Sequence, residues 1–218
     1  MGICVMGKSR VSTFDRHHRR YDDWFERHAE VYQSELLAVR ALLPWQGRGL
    51  AIGVGTARFA APLGIQVGID PSSRMLHYAR RRGVSVVRAV AEALPFASWT
   101  FDHVLCVTTI CFVADIPMTL AEAHRVLKPD APLVIGFVDR DSAIGRSYLA
   151  RQAESLFYRE ATFVTSGEVA SFLCDAGFGD AVWLQTLFQD LDATDRIEPP
   201  RSGSGAGAFV VVRAIRQG

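Results

Sequence analysis

Residues 50–70, "LAIGVGTARFAAPLGIQVGID", contain the features that decide the fold. One apolar run ends at two glycines one residue apart, Gly53 and Gly55, and a second apolar run ends at the carboxylate of Asp70. Because glycine lacks a Cβ, the backbone there can turn tightly and a ligand can approach it closely. The stretch therefore predicts two strands whose tips lie side by side at a binding site.

The remainder of the chain alternates apolar runs with amphipathic stretches, which is typical of α/β proteins. It predicts a doubly wound, mostly parallel, seven-stranded sheet with helices on both faces and a C-terminal antiparallel hairpin. Strands are predicted at 49–54, 65–69, 84–88, 102–108 and 132–138, and the hairpin at 181–188 and 208–215. Helices are predicted at 22–43, 72–82, 117–127 and 165–176, with a further helix starting near Arg58 after the glycines. Thr165 and Glu168 form a capping-box pattern at the start of the last of the four.

The length of 218 residues and a hydrophobic content of 49% favour a single domain spanning residues 1–218. Within it, residues 1–45 are interpreted as an N-terminal tail and helical lid, the first dozen residues being a loose tail. Residues 139–163 follow the fifth strand and are interpreted as a substrate-side insertion.

The composition argues against several functional classes. A net charge of +1 provides no electrostatic surface for nucleic acid or an anionic membrane, and no apolar stretch is long enough to span a bilayer. None of the four cysteines is paired in a CxxC spacing, so we expect no metal site and reduced thiols in a cytoplasmic protein.

The residues around the two predicted strand tips point to a cofactor that contains a nucleoside. The Asp70 carboxylate can accept hydrogen bonds from ribose hydroxyls, and free N–H groups at a helix start favour an anionic group. A dinucleotide site favours GxGxxG, but Arg58 occupies the third glycine position, which argues against a nicotinamide-dependent oxidoreductase. S-adenosylmethionine, whose anionic group is a small carboxylate, is the other cofactor that this pattern suits.

Four segments carry a resemblance to a known family. "LAIGVGTARFA" resembles the glycine-rich motif of the class I S-adenosylmethionine-dependent methyltransferases, and "GIDPSSRMLHYAR" resembles their second motif. "AEALPFASWTFDHVLCVTTICFV" and "LAEAHRVLKPDAPLVIGFV" are similar to the segments that lead into their fourth and fifth strands. The resemblance, to the type 11 methyltransferases in particular, covers roughly residues 20–215 and implies a Rossmann-like fold with S-adenosyl-L-methionine as the cofactor.

The resemblance also implies which residues hold that cofactor. Gly53, Val54, Gly55 and Thr56 would wrap its methionine end, and Asp70 would hold its ribose. Pro71, Met75, Ala91 and Glu92 would border its adenine, and Val107 and Thr108 would lie under its sulfonium.

Departures from the family pattern raise an alternative function. Ala51 replaces a usual acid, Val90 replaces an acid near the adenine, and Ala57 replaces a usual glycine. Ala57 is costly only if its φ is positive. These changes motivate the alternative of a catalytically inactive cofactor-binding protein with a regulatory or partner role.

Methyl transfer from a sulfonium requires alignment of a nucleophile and exclusion of water, so it needs no catalytic triad, and no catalytic residue is assigned. A small molecule under an aromatic lid is the expected acceptor, with a protein side chain as the alternative. Its predicted contacts are Tyr21, Trp24, Cys111, Asp139 and Arg140. For Asp139 and Arg140, a local turn and salt bridge are the alternative interpretation.

Overall fold

The computed structural model describes residues 6–189 and 193–218, the first five of these by their backbone alone. Its helices are α1 (Met6–Arg27), α2 (Ala29–Leu42), α3 (Ser73–Arg81), α4 (Ile116–Val126), α5 (Ala143–Ala150) and α6 (Ser166–Asp175), with 3₁₀ turns at Gln152–Glu154 and Tyr158–Glu160. Its strands are β1 (Gly49–Ile52), β2 (Val67–Asp70), β3 (Ser85–Arg88), β4 (His103–Val107), β5 (Pro132–Val138), β6 (Phe178–Thr186), β7 (Arg201–Ser202) and β8 (Phe209–Arg216).

The strands form one sheet in the order β3-β2-β1-β4-β5-β8-β6-β7. Strands β1 to β5 pair in parallel, and β8 lies antiparallel between β5 and β6. The predicted architecture is therefore confirmed, including the C-terminal hairpin. The difference is an eighth strand, β7, whose two residues pair with Leu184 and Gln185 of β6 at the edge of the sheet.

Each face of the sheet carries its own apolar core, and β4 shows why. All five of its residues are buried, and successive side chains point to opposite faces. Leu105 and Val107 belong to the core beneath α2, whereas Val104 and Cys106 belong to the core beneath α4. Burial on both faces explains the nearly continuous apolar runs from which the strands were predicted.

Local side-chain hydrogen bonds set the starts of three helices. The Ser72 hydroxyl accepts from the N–H of Met75 at the start of α3, and Thr165 and Glu168 form both bonds of the predicted capping box at α6. Asp115 caps α4 in the same way, one residue before its first helical residue. The helices predicted at 72–82, 117–127 and 165–176 are confirmed to within one residue at each end.

The prediction for the N-terminal segment is wrong in two respects. The single helix expected at 22–43 is two helices, which meet at His28, where φ is −124° and ψ is 52°. The expected loose tail is helical from Met6 onward, and residues 1–5 lie outside the described part of the chain. Contacts with α3 stabilise this helix, since Asp15 accepts hydrogen bonds from the Ser72 hydroxyl (2.6 Å) and the Arg74 N–H (3.2 Å).

The helix expected near Arg58 is also absent, and irregular turns span residues 55–64 instead. Ala57 has a φ of +64°, which a right-handed helix does not allow, and Pro62 has no N–H to donate. Two bonds of helical spacing survive, from Ala61 N–H to the Ala57 carbonyl (3.0 Å) and from Leu63 to Phe59 (3.3 Å).

Within residues 6–189 and 193–218, no helix is both long enough and apolar enough to cross a bilayer.

Candidate functional site

A cavity of about 720 Å³ lies at the carboxyl ends of β1, β2 and β4. Its floor is made by the tips of these strands, and α1, α2 and residues 154–158 line its other side. In doubly wound sheets, ligands bind at this edge. We refer to the two sides as the strand-tip half and the lid half.

The two glycines of the strand-tip half both adopt left-handed backbone conformations, with φ of +64° at Gly53 and +53° at Gly55. A Cβ on Gly53 would lie 2.3 Å from the side chain of Thr109, so no other residue fits there without displacing it. At Gly55 a Cβ would lie 3.5 Å from the Tyr21 hydroxyl, which is ordinary contact, so only the backbone conformation demands glycine.

Asp70 joins the glycine loop to the tip of β2. One of its carboxylate oxygens accepts from the Gly55 N–H (3.0 Å) and the other from the Ser72 N–H (2.8 Å). Removal from water raises its pKa to about 6, and these two hydrogen bonds limit the rise. Each oxygen keeps a second acceptor site, so the carboxylate can also accept hydrogen bonds from a ligand in the cavity.

Most residues predicted to hold the cofactor lie together on the cavity wall. Those that line it are Gly53, Gly55, Asp70, Pro71, Met75, Ala91, Glu92, Val107 and Thr108. Val54 and Thr56 are buried and do not belong to its lining. The Val54 N–H donates to the Ile69 carbonyl (2.8 Å), and the Thr56 carbonyl accepts from Arg82 (2.7 Å), so both residues stabilise the loop from behind.

The loops after β3 and β4 are held together by Glu92. Its carboxylate accepts from the N–H groups of Ala114 (2.6 Å) and Asp115 (3.3 Å). Thr108, at the end of β4, has a φ of +49°, which is uncommon for a β-branched residue. Its N–H donates to the Gly136 carbonyl (2.7 Å), which keeps the strand end in place.

The structure also shows the surroundings of the three residues that depart from the family pattern. Ala57 is fully buried and has a φ of +64°. Alanine at this position is therefore strained where the family's usual glycine would not be. Ala51 lies inside β1, paired with Gly68 and Leu105, and is buried. Val90 lines the cavity and is nearly half exposed.

The residues predicted to contact the acceptor divide into two groups. Tyr21 and Trp24 line the cavity, whereas Cys111, Asp139 and Arg140 do not. Asp139 accepts hydrogen bonds from the N–H groups of Asp141 (3.0 Å) and Ser166 and from the Ser166 hydroxyl.

Arg140 forms a 3.0 Å ion pair with Glu168. Together with the Asp139 contacts, this pair holds the start of α6 against β5. The alternative interpretation of Asp139 and Arg140, as parts of a local turn and a salt bridge, therefore agrees with the structure. Cys111 is buried against Ala161 and Phe163.

Aromatic rings from three segments meet in the lid half. Phe14 of α1 lies with its ring centre 5.2 Å from Phe112, 5.4 Å from Phe157 and 5.6 Å from Tyr21. Tyr21 also packs against Phe157 at 5.7 Å. The sequence did not single out Phe14, because Phe112 and Phe157 are distant from it along the chain.

An ion-pair cluster fastens the lid to the glycine loop. Asp22 of α1 accepts two hydrogen bonds from Arg58, at 3.0 and 2.9 Å, and one from Arg82 at 2.8 Å. Desolvation opposes ionisation of Asp22, but the two guanidinium groups prevail and lower its pKa to about 2. Arg58 also pairs with Glu26 at 2.5 Å.

Comparison with known proteins is consistent with this geometry. A family model described as "Methyltransferase domain" matches residues 50–135. A Thermotoga maritima structure, described as an SAM-dependent methyltransferase and possible histamine N-methyltransferase, is 45% identical with a TM-score of 0.93, covering 95% of this chain and 100% of that one. The chain belongs to the class I S-adenosylmethionine-dependent methyltransferases.

Two further relatives are described as uncharacterised proteins. One from Methanocaldococcus jannaschii is 39% identical over 204 residues, which is 94% of this chain and 98% of that protein. One from Mycobacterium tuberculosis is 40% identical over 203 residues, which is 90% of this chain and 71% of that protein. The similarity therefore extends over the lid as well as the sheet.

The residues of this methyltransferase fit the cofactor of its family. Asp70 lines the cavity with acceptor capacity to spare, as recognition of ribose hydroxyls requires. A side chain at position 53 would displace Thr109. Because Gly55 has no side chain, the cavity stays open beside it. A cavity of about 720 Å³ is of the size that binds a cofactor.

One acid of the methyltransferase lid was missed by the sequence analysis. Glu35 of α2 lines the cavity and is only 6% exposed. Within the described residues its carboxylate has no hydrogen-bond or ion-pair partner, and desolvation raises its pKa to about 8. The available signal was its position on the apolar stripe of α2, four residues after Val31 and three before Ala38.

Proposed function

We propose that this protein transfers a methyl group from S-adenosylmethionine to a nucleophilic atom of a small molecule. The observation that carries the proposal is the single cavity that joins the glycine loop and Asp70 to a space lined by aromatic rings under the lid. The Thermotoga maritima relative, described as a possible histamine N-methyltransferase, supports a small-molecule acceptor here as well.

In this proposal the strand-tip half binds the cofactor. Gly53 and Gly55 let its methionine end approach the backbone, and Asp70 accepts hydrogen bonds from its ribose hydroxyls. The adenine would lie between Pro71 and Met75 on one side and Ala91 on the other. All of these residues line the cavity, which supports the assignment.

The lid half positions the acceptor. When bound, S-adenosylmethionine supplies a sulfonium-activated methyl group whose carbon takes the acceptor's lone pair while the electron pair of the C–S bond passes to sulfur. The protein's own contribution is alignment and exclusion of water. The packed rings of Phe14, Tyr21 and Phe157 would align the acceptor and exclude water from it.

Asp70→Asn tests the cofactor assignment by calorimetric titration with S-adenosylmethionine and S-adenosylhomocysteine. We expect binding to weaken by about 1.5–3 kcal/mol, because a charge-assisted pair of hydrogen bonds is lost. Since ribose hydroxyls donate to the ionised carboxylate, affinity in the unmodified protein should also fall as the pH drops below about 6.

Asp102→Asn is the matched control, because Asp102 precedes β4 at the opposite end of the sheet and pairs with Lys128. An unchanged dissociation constant in Asp70→Asn would contradict the ribose assignment. Release of S-adenosylhomocysteine in the presence of small-molecule acceptors then separates an enzyme from a protein that only binds the cofactor.

A further inference from the structure

Glu35 is an acid in a position where the fold calls for an apolar side chain. Its neighbours on the buried face of α2 include Val31, Ala38 and Val39, all of which belong to the apolar core. A carboxylate withdrawn from water without a partner is costly, and such groups are normally paired in native proteins.

The basic side chains near the lid do not supply that partner. Arg58 and Arg82 are occupied by Asp22. Arg20 and Arg27 line the cavity but lie exposed on α1, and neither makes an ion pair with Glu35. The negative charge that Glu35 carries when ionised is therefore uncompensated within the part of the chain that the structure describes.

Tyr21 and Tyr158 line the same cavity as Glu35, together with the rings of Phe14 and Phe157. Burial raises the pKa values of Tyr21, Tyr158 and Tyr32, which lies one turn before Glu35 on α2, and the nearby charge of Glu35 adds to the rise. All three therefore stay neutral throughout the physiological range. Aromatic faces attract cations, as a carboxylate does, so this end of the cavity is suited to a positively charged group.

Tyr21 of α1 reaches the glycine loop from the lid half. Its hydroxyl lies beside Gly55, and both Asp70 and Glu35 act on its pKa. Glu35 lies on α2, which lines the lid half, where the proposed function places the acceptor.

We propose that the acceptor of this methyltransferase carries a protonated amine, and that Glu35 binds its ammonium group among the aromatic rings of the lid half. The inference rests on the proposed function, because it names the substrate class of the same cavity. A cationic group would stabilise the ionised carboxylate of Glu35, whereas beside a neutral or anionic acceptor Glu35 would stay mostly protonated below its pKa of about 8.

The test uses three probes that share one phenyl ring and differ in charge: 2-phenylethylamine, 2-phenylethanol and phenylacetate. Each is titrated calorimetrically at pH 9, above the pKa of Glu35, into the full chain saturated with S-adenosylhomocysteine. We expect the amine to bind at least about tenfold more tightly than the alcohol, and phenylacetate to bind most weakly. Glu35→Gln should lose the preference, and Glu30→Gln, a control on the same helix outside the cavity lining, should keep it.

A pH series adds a readout that a purely structural role would not change. Because the free carboxylate has a pKa of about 8, amine binding should tighten as the pH rises from 7 to 9. Asp70, with a pKa of about 6, is already ionised over this interval. Glu35→Gln should bind the amine with no such pH dependence.

The outcomes separate this inference from the proposed function. Failure of the unmodified protein to bind S-adenosylhomocysteine would overturn both. If it binds but shows no preference for the amine, or if Glu35→Gln keeps that preference, only the amine inference is overturned. Weaker S-adenosylhomocysteine binding by Glu35→Gln would instead assign the carboxylate to the cofactor's own ammonium and would overturn the inference as well.

Discussion

Asp22 and Glu35 are both buried acids of the lid, 7% and 6% exposed, but their surroundings are opposite. Asp22 accepts hydrogen bonds from two guanidinium groups, and its pKa is lowered to about 2. Glu35 has no such partner within the described residues, and its pKa is raised to about 8. Equal burial thus produces a structural acid in one case and an acid available to a ligand in the other.

The origin of the arginines explains the difference. Arg58 comes from the turns after the glycine loop and Arg82 from the end of α3, and both reach the α1 face that carries Asp22. Glu35 lies on α2, which packs above the apolar face of the sheet and the cavity. The lid is therefore anchored at one acid and open to a ligand at the other.

The largest expected effect is that of Asp22→Asn. It leaves the mostly buried guanidinium group of Arg82 without a carboxylate and that of Arg58 with only the exposed Glu26, so we expect the free energy of unfolding to fall by about 3–5 kcal/mol. Because folding lowers the pKa of Asp22, its contribution is present above about pH 4 and is lost as the pH falls toward 2.

Urea denaturation at pH 7 measures this change, and Asp23→Asn, at the exposed neighbouring position, is the control. A loss below about 1 kcal/mol would mean that Asp22 does not anchor the lid, because exposed ion pairs contribute no more than that.

Glu35→Gln should change the free energy of unfolding in the opposite direction. Folding raises the pKa of Glu35 from 4.5 to about 8, so ionisation of this residue destabilises the native state as the pH rises through that interval. At pH 9 the variant should be more stable than the unmodified protein by about 2–4 kcal/mol, and at pH 4.5 the two should be nearly equal.

Thermal melting curves at the two pH values measure the difference, with Glu30→Gln again as the control. Equal stabilities at pH 9 would show that Glu35 is compensated in solution, and the contrast with Asp22 would disappear.

The smallest expected effect is that of Glu26→Gln. Glu26 pairs with Arg58 at 2.5 Å, but its side chain is 70% exposed, so solvent screens the pair. We expect a change below about 0.5 kcal/mol in the free energy of unfolding, measured beside Asp22→Asn. A loss comparable to that of Asp22→Asn would assign the anchoring of Arg58 to Glu26 instead.

The sequence predicted the strand-tip half of the cavity far better than the lid half. Gly53, Gly55 and Asp70 lie in one stretch of 21 residues, and the parallel pairing of β1 with β2 brings them together wherever those strands form. The capping box of α6 was predicted for the same reason, since both of its bonds join residues three apart. Such features depend on neighbours along the chain.

The lid half depends on partners that are far away in sequence. Asp22 meets Arg58 and Arg82 across 36 and 60 residues. Asp139, predicted to contact the acceptor, is instead bonded to Ser166, 27 residues onward. No local sequence pattern links residues that are this far apart along the chain.

By itself the sequence determined the parallel core, the tight turn at Gly53 and Gly55 and the carboxylate at the tip of β2, because apolar periodicity and backbone freedom are local properties. Only the tertiary structure decided which buried acid of the lid is neutralised and which faces the cavity. The physical reason is that the pKa of a buried carboxylate depends on the charges that packing brings within a few ångströms of it, and those charges come from other elements.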